Sequence, residues 1–146
     1  TVMLNADFED GTLQGWVARE SSAGAHSVAV TTDDVHGGAY AALVSERTSQ
    51  GSGIGFDVDG VLDPGVRYEL TAWVKFMGTP TEDIVFTAQT GESTFTTLAT
   101  LTGVTNEEWT QVTTTFSIGS GDLAFIYFET PWEGADVVGN TTAFAI

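Results

Sequence analysis

Side-chain character alternates strictly and repeatedly along this chain, which leaves little choice of fold. In 67–76, Tyr68, Leu70, Ala72, Val74 and Phe76 fall on one face, and Arg67, Glu69, Thr71, Trp73 and Lys75 on the other. In 111–118, Val112, Thr114, Phe116 and Ile118 oppose Gln111, Thr113, Thr115 and Ser117. In 123–130, Ala124, Ile126 and Phe128 oppose Leu123, Phe125, Tyr127 and Glu129. A period of two suits a strand with one face on a core, because successive side chains leave a strand on opposite sides. Threonine is the commonest residue, 23 of 146, and its branched Cβ favours strand over helix. Long Ala/Leu/Glu/Lys stretches are missing, so no helix is expected.

The pattern predicts eleven strands, near 2–8, 16–20, 27–32, 40–46, 53–59, 67–76, 83–90, 93–101, 109–118, 123–130 and 142–146. The second is short enough to be a bridge. Turn chemistry separates them: Asp10-Gly11, His36-Gly37-Gly38, Asp63-Pro64-Gly65, Gly78-Thr79-Pro80, Thr90-Gly91-Glu92 and Gly119-Ser120-Gly121-Asp122. Short strands at this spacing imply an all-β sandwich or jelly roll of two antiparallel sheets. Tyr68, Leu70, Val74, Phe116, Ile126 and Phe128 are expected in its core. With no repeat, linker or low-complexity segment visible, 1–146 reads as a single domain, long enough to bury a core without disulfide or metal.

Charge and cysteine count narrow the function. Twenty acidic residues stand against three arginines and one lysine, a net charge of −16. Phosphate recognition needs clustered basic side chains, so neither nucleic acid nor an anionic membrane is an expected partner. The acidity has a plain reading, solubility or adaptation to salt, and a functional one, oxygen-coordinated cations such as calcium. No cysteine is present, which removes disulfides, thiolate metal sites and cysteine nucleophiles. No apolar run approaches 18 residues, so no transmembrane helix is expected. Thr1 does not open a signal peptide, as for a chain whose leader has been removed or a module cut from a larger protein.

Catalytic signatures are absent. There is no GxSxG, HExxH, P-loop or GxGxxG, and Gly51-Ser52-Gly53 reads as a flexible turn without the lysine of a phosphate cradle. His26 and His36 are isolated, and His36 in its Gly-rich turn reads as a solvated loop residue. Paired carboxylates can hydrolyse glycosides, but Glu9-Asp10, Asp33-Asp34, Glu82-Asp83 and Glu107-Glu108 all fall in turns or strand ends.

One strand carries more than a core requires. Opposite Ala124, Ile126 and Phe128, the residues Phe125, Tyr127 and Glu129 stand in a row, about 7 Å apart. Two rings and a carboxylate in line suit a sugar chain: rings pack on the apolar faces of pyranoses, and a carboxylate accepts hydroxyl hydrogen bonds. The plainer reading is a central strand buried on both faces. Trp132 follows in a Pro-Trp-Glu-Gly loop, as an exposed platform or a plug over the sandwich end. Arg19 and Arg47 read either as ion-pair partners of nearby carboxylates or as planar donor forks for sugar hydroxyls. Asn5-Ala6-Asp7-Phe8-Glu9-Asp10-Gly11 offers several hard oxygen donors where a strand turns.

Five pieces in order resemble family 22 carbohydrate-binding modules: Asp7-Phe8-Glu9-Asp10-Gly11 with Gly15-Trp16 and Arg19; Gly38-Ala39-Tyr40 with Leu43-Val44-Ser45-Glu46-Arg47-Thr48; Leu62-Asp63-Pro64-Gly65-Val66-Arg67-Tyr68 with Ala72-Trp73-Val74-Lys75; Glu108-Trp109-Thr110-Gln111-Val112 with Phe116; and Ile126-Tyr127-Phe128-Glu129-Thr130. The resemblance implies a jelly roll with a groove across one sheet that binds β-1,4-xylan or mixed-linkage β-glucan. It implies a non-catalytic, monomeric module of a secreted, extracellular multidomain xylanase, with a structural calcium ion away from the groove.

Residue by residue, the resemblance assigns Arg19, Tyr127 and Glu129 to the groove. Phe125 stands where the family often has a second tyrosine, and Phe95 about where another groove tyrosine stands. For calcium it points to Asp7 and Glu9 with backbone carbonyls of 37–40, from Gly37 to Tyr40. One departure stands out. The groove tryptophan expected after the Arg-Thr pair is missing, since Arg47-Thr48 runs into Ser49-Gln50-Gly51-Ser52-Gly53. Losing a stacking face costs about 1–3 kcal/mol, by analogy with bases on aromatic rings. Trp132 is the candidate substitute. The competing reading is a structural or linker domain of the same fold that has lost glycan binding.

Overall fold

The alternating segments become the strands of two facing sheets. The computed structural model describes residues 2–146. In chain order the strands are β1 Val17–Arg19, β2 Ser27–Thr31, β3 Ala41–Ser45, β4 Gly53–Asp57, β5 Tyr68–Phe76, β6 Ile84–Gly91, β7 Thr94–Leu101, β8 Thr110–Phe116, β9 Phe125–Glu129 and β10 Phe144–Ala145. One sheet has the order β1-β4-β9-β6-β7 and the other β2-β3-β10-β5-β8. Neighbouring strands pair antiparallel throughout. Among the described residues there is no helix. This is the β-sandwich jelly roll that period and turn chemistry predicted.

The core lies between the sheets. Ile54, Phe86, Ile126 and Phe128 meet Val44, Val74, Phe76 and Phe144 of the opposite sheet. Phe86 joins them in ring pairs, tilted to Phe128 at 4.9 Å and edge-on to Phe116 across the sandwich at 5.2 Å, arrangements that suit ring quadrupoles. Of the expected core, Val74, Ile126 and Phe128 are fully buried, while Tyr68, Leu70 and Phe116 are partly buried against it.

The expected strand at 2–8 does not form. Phe8 takes a positive φ of 60°, the left-handed region, and its ring is buried. The backbone N–H groups of Asp7 and Phe8 both donate to Gln14 Oε1, at 3.1 Å each. A side chain thus takes the donors a ladder would use, and the segment is an irregular strap.

Candidate functional site

The outward face of the β1-β4-β9-β6-β7 sheet carries the row seen in the sequence. Register pairs place Gly55 and Thr87 on either side of Tyr127, and Asp57 and Gln89 on either side of Phe125. Arg19 pairs with Gly53, and Phe95 with Gln89. Arg19, Phe95, Phe125, Tyr127 and Glu129 therefore share one face. Strand β4 is bare there: a Cβ at Gly55 would run into the ring of Phe125, and one at Gly53 into the carbonyl of Phe128. With no side chain on β4 at these positions, Phe125 and Arg19 can lie across it, and the sheet has a trench.

Within the trench, the guanidinium carbon of Arg19 lies 4.2 Å from the Tyr127 ring centroid and 5.5 Å from that of Phe95. Arg19 Nη1 donates to Gly51 O at 2.9 Å and lies 3.5 Å from Glu129 Oε2. Thr87 Oγ1 donates to Glu129 Oε1 at 3.1 Å. Burial pushes the Glu129 carboxyl up to about 7, against the opposing pull of Arg19 and the Thr87 hydrogen bond. Burial likewise raises the Tyr127 hydroxyl above its ordinary value. Tyr127 is only 1% exposed: it shares the outward face with its row, but Arg19 covers it.

The open rings are elsewhere. Phe95 is 49% exposed. Phe125, 6.1 Å from Tyr127 between centroids, lines a depression of about 560 Å³ with Val17, Arg19, Asp57, Gln89 and Phe95. Asp57, Thr87 and Gln89 were not singled out in the sequence. The alternation of Val85, Thr87 and Gln89 against Ile84, Phe86 and Ala88 would have placed two of them outward. Trp132 stands 72% exposed on the loop after β9. That loop is tied to the 49–51 turn by Gln50 N donating to Val138 O at 2.7 Å.

Arg47 plays neither part that the sequence suggested. Its guanidinium is buried and, among the described residues, pairs with no carboxylate. Nε donates to Ser52 O at 2.8 Å, Nη1 to Thr142 O at 2.9 Å and Asn140 Oδ1 at 3.3 Å, and Nη2 to Gln50 O at 2.9 Å and Thr130 Oγ1 at 2.6 Å. All five N–H donors are thereby used. Burial lowers its pKa to about 10. The 51–53 stretch, expected to be a flexible turn, is buried and held by this fork. His26 also contacts it, with Nε2 2.7 Å from Gly53 O. His36 is exposed, as expected, but its ring stacks on Trp73 at 3.6 Å.

Asp7, Glu9, Gly37 and Tyr40 border one cleft of about 770 Å³. The Glu9 carboxylate accepts from Ala39 N at 2.9 Å and Tyr40 N at 3.1 Å. Asp7 Oδ1 accepts from Gln14 Nε2 at 2.9 Å and Glu9 N at 3.1 Å, with the Gln14 bond the main cause of a carboxyl held below its usual range. Among the described residues, no three acidic or histidine side chains converge as a metal-binding group.

The profile of a family described as a carbohydrate binding domain matches residues 1–135. The chain belongs to that family. The module is similar to endo-1,4-beta-xylanase A of Thermoanaerobacterium saccharolyticum, 30% identical over 128 residues, which are 86% of this chain and 11% of the xylanase. It is also similar to endo-1,4-beta-xylanase C of Paenibacillus barcinonensis, 26% identical over 133 residues, 88% of this chain and 12% of the xylanase. The chain thus spans only about a ninth of these relatives. In fold, the module matches the CBM22-1 xylan-binding domain of Paenibacillus barcinonensis Xyn10C with a TM-score of 0.82 at 23% identity, over 99% of this chain and 89% of that one. The CBM22-2 xylan-binding domain of the same protein matches with a TM-score of 0.80 at 21% identity, over 99% and 94%. The resemblance read from the five sequence pieces is borne out, and the chain is a non-catalytic binding module.

Proposed function

We propose that the module binds β-1,4-xylan, or mixed-linkage β-glucan, in the trench across the β1-β4-β9-β6-β7 sheet. In this reading it serves a secreted, extracellular glycoside hydrolase as its monomeric polysaccharide-docking module. The observation that carries this reading is the side-chain-free position of β4 at Gly55, over which Phe125 lies beside Asp57, Gln89 and the exposed Phe95. An apolar floor with polar groups at its edges is what a pyranose chain requires. The xylanase relatives and the xylan-binding domains of like fold support the same ligand class. Phe125 and Phe95 supply the stacking faces, while Arg19 and Glu129 supply a donor and an acceptor for hydroxyls.

The covered Tyr127 favours the second reading, a domain of the same fold without glycan binding. Titration with xylohexaose, a β-glucan oligosaccharide and a mannan oligosaccharide separates the two. Binding of xylohexaose that Phe125→Ala weakens tenfold or more supports the docking module. No heat on any of the three leaves the structural domain.

A calcium ion completes the proposal. Asp7 and Glu9 carry hard carboxylate oxygens, and the 37–40 backbone borders the same cleft. This is suitable chemistry for an ion that takes six to eight oxygens. There the ion would tie the irregular 2–9 strap to the loop before β3, away from the trench.

A further inference from the structure

We infer that the trench discriminates by charge: it accepts uncharged glycan segments and repels segments bearing uronic acid, with Asp57 setting much of that exclusion. The inference rests on the glycan-docking reading above and names the ligand class of the same site.

All four cationic side chains of the chain are placed. Arg47 is buried under the trench rim and spent on carbonyl, amide and hydroxyl oxygens. Arg67 reaches Thr115 on the opposite sheet, and Lys75 pairs with Asp34 there. Only Arg19 faces the trench, and its charge is already answered by Glu129 at 3.5 Å. The remaining charges at the site are acidic: Glu20 and Asp57 line the depression floored by Phe125, and both are exposed. An anionic branch laid there meets two carboxylates and, among the described residues, no free cation, inside the field of a chain with net charge −16. Like charges at an interface reject a ligand without weakening the favoured one, and for exposed groups the effect fades once the Debye length falls to a few ångströms.

Asp57 can be tested cleanly. Its Oδ1 accepts from Asp59 N at 2.9 Å, and an asparagine keeps that acceptor while losing the charge. The experiment is calorimetric titration at pH 8 with three ligands: xylohexaose, the same chain bearing one glucuronosyl branch, and the methyl ester of that branch. The ester has the branch without its charge. At 10 mM salt the uronate is expected to bind about threefold or more weaker than its ester, with the gap closing at 0.5 M salt. In Asp57→Asn the uronate-to-ester ratio is expected to move toward one. Equal affinity of uronate and ester at low salt, or tighter uronate, overturns the inference and leaves the docking reading standing. Absence of binding to xylohexaose overturns both.

Discussion

Arg19 lies over Tyr127, guanidinium carbon 4.2 Å from the ring centroid, with its Nη1 held between Gly51 O and Glu129. The tyrosine that the sequence offered as an open sugar platform is therefore roofed by the arginine meant to flank it. A cation over a ring is worth about 0.5–2 kcal/mol, more when desolvated, so the pair is a built part of the trench.

Truncating Tyr127 should accordingly act on stability. Tyr127→Ala is expected to cost about 3–5 kcal/mol, the range for removing a buried ring. Urea denaturation of the variant beside the parent measures it. A change under about 1 kcal/mol would mean that the ring is not packed as described.

Gly55→Ala tests the bare floor. The added methyl collides with the Phe125 ring and approaches Ile126 O, so Phe125 must leave the floor or the strand must shift. Overpacking of this kind costs about 1–3 kcal/mol. Xylohexaose affinity is expected to fall at least tenfold as the floor is lost. Paired melting curves and titrations separate the two effects.

Arg47→Lys keeps the charge and loses the fork. An ammonium cannot reach Ser52, Gln50, Thr130 and Thr142 together, so buried carbonyls lose their donors. Each such loss costs about 1–3 kcal/mol, and about 3 kcal/mol or more is expected in total, read by chemical denaturation.

Glu129 makes stability depend on pH. Its ordinary value is 4.5 and burial raises it to about 7 in the folded chain. Between those values the folded chain holds a proton that the unfolded chain has released. Stability therefore falls as pH rises through this window and levels off above it. Glu129→Gln removes that slope. The melting temperature of the variant minus that of the parent is expected to grow from pH 5 to pH 8, the subtraction cancelling contributions from His26 and Glu82.

If calcium binds at Asp7 and Glu9, added calcium should raise the melting temperature by mass action, about 2.7 kcal/mol at a hundred times Kd. Asp7→Asn with Glu9→Gln should abolish the rise and leave xylohexaose affinity alone. Unchanged melting after EDTA treatment and calcium addition counts against the site.

The sandwich was legible because a strand with one face on the core must alternate. Thus the alternation alone separates Ile126 and Phe128 from Phe125, Tyr127 and Glu129. The row was legible for the same reason, but its solvent exposure was not. Period two assigns a face, whereas Arg19 lies 108 residues before Tyr127 in the chain, and its stack on Tyr127 follows from sheet order. Arg47 misled because a lone arginine in an acidic chain suggests a carboxylate partner. Burial made neutral oxygens of three separate segments the better acceptors: the carbonyls of Gln50, Ser52 and Thr142, the Asn140 amide and the Thr130 hydroxyl. The 2–8 segment misled because Val2, Leu4, Ala6 and Phe8 alternate correctly, while Gln14 takes the backbone donors that a neighbouring strand would need.

The fork of Arg47 also has a mechanical meaning. It grips the 50–52 turn at the trench rim, the Thr130 end of β9 and the 140–142 stretch that leads into β10, the middle strand of the far sheet. Tension applied at the rim by a tethered polymer would pass through this one side chain into the opposite layer, so the two sheets would bear the pull together instead of peeling apart one strand at a time.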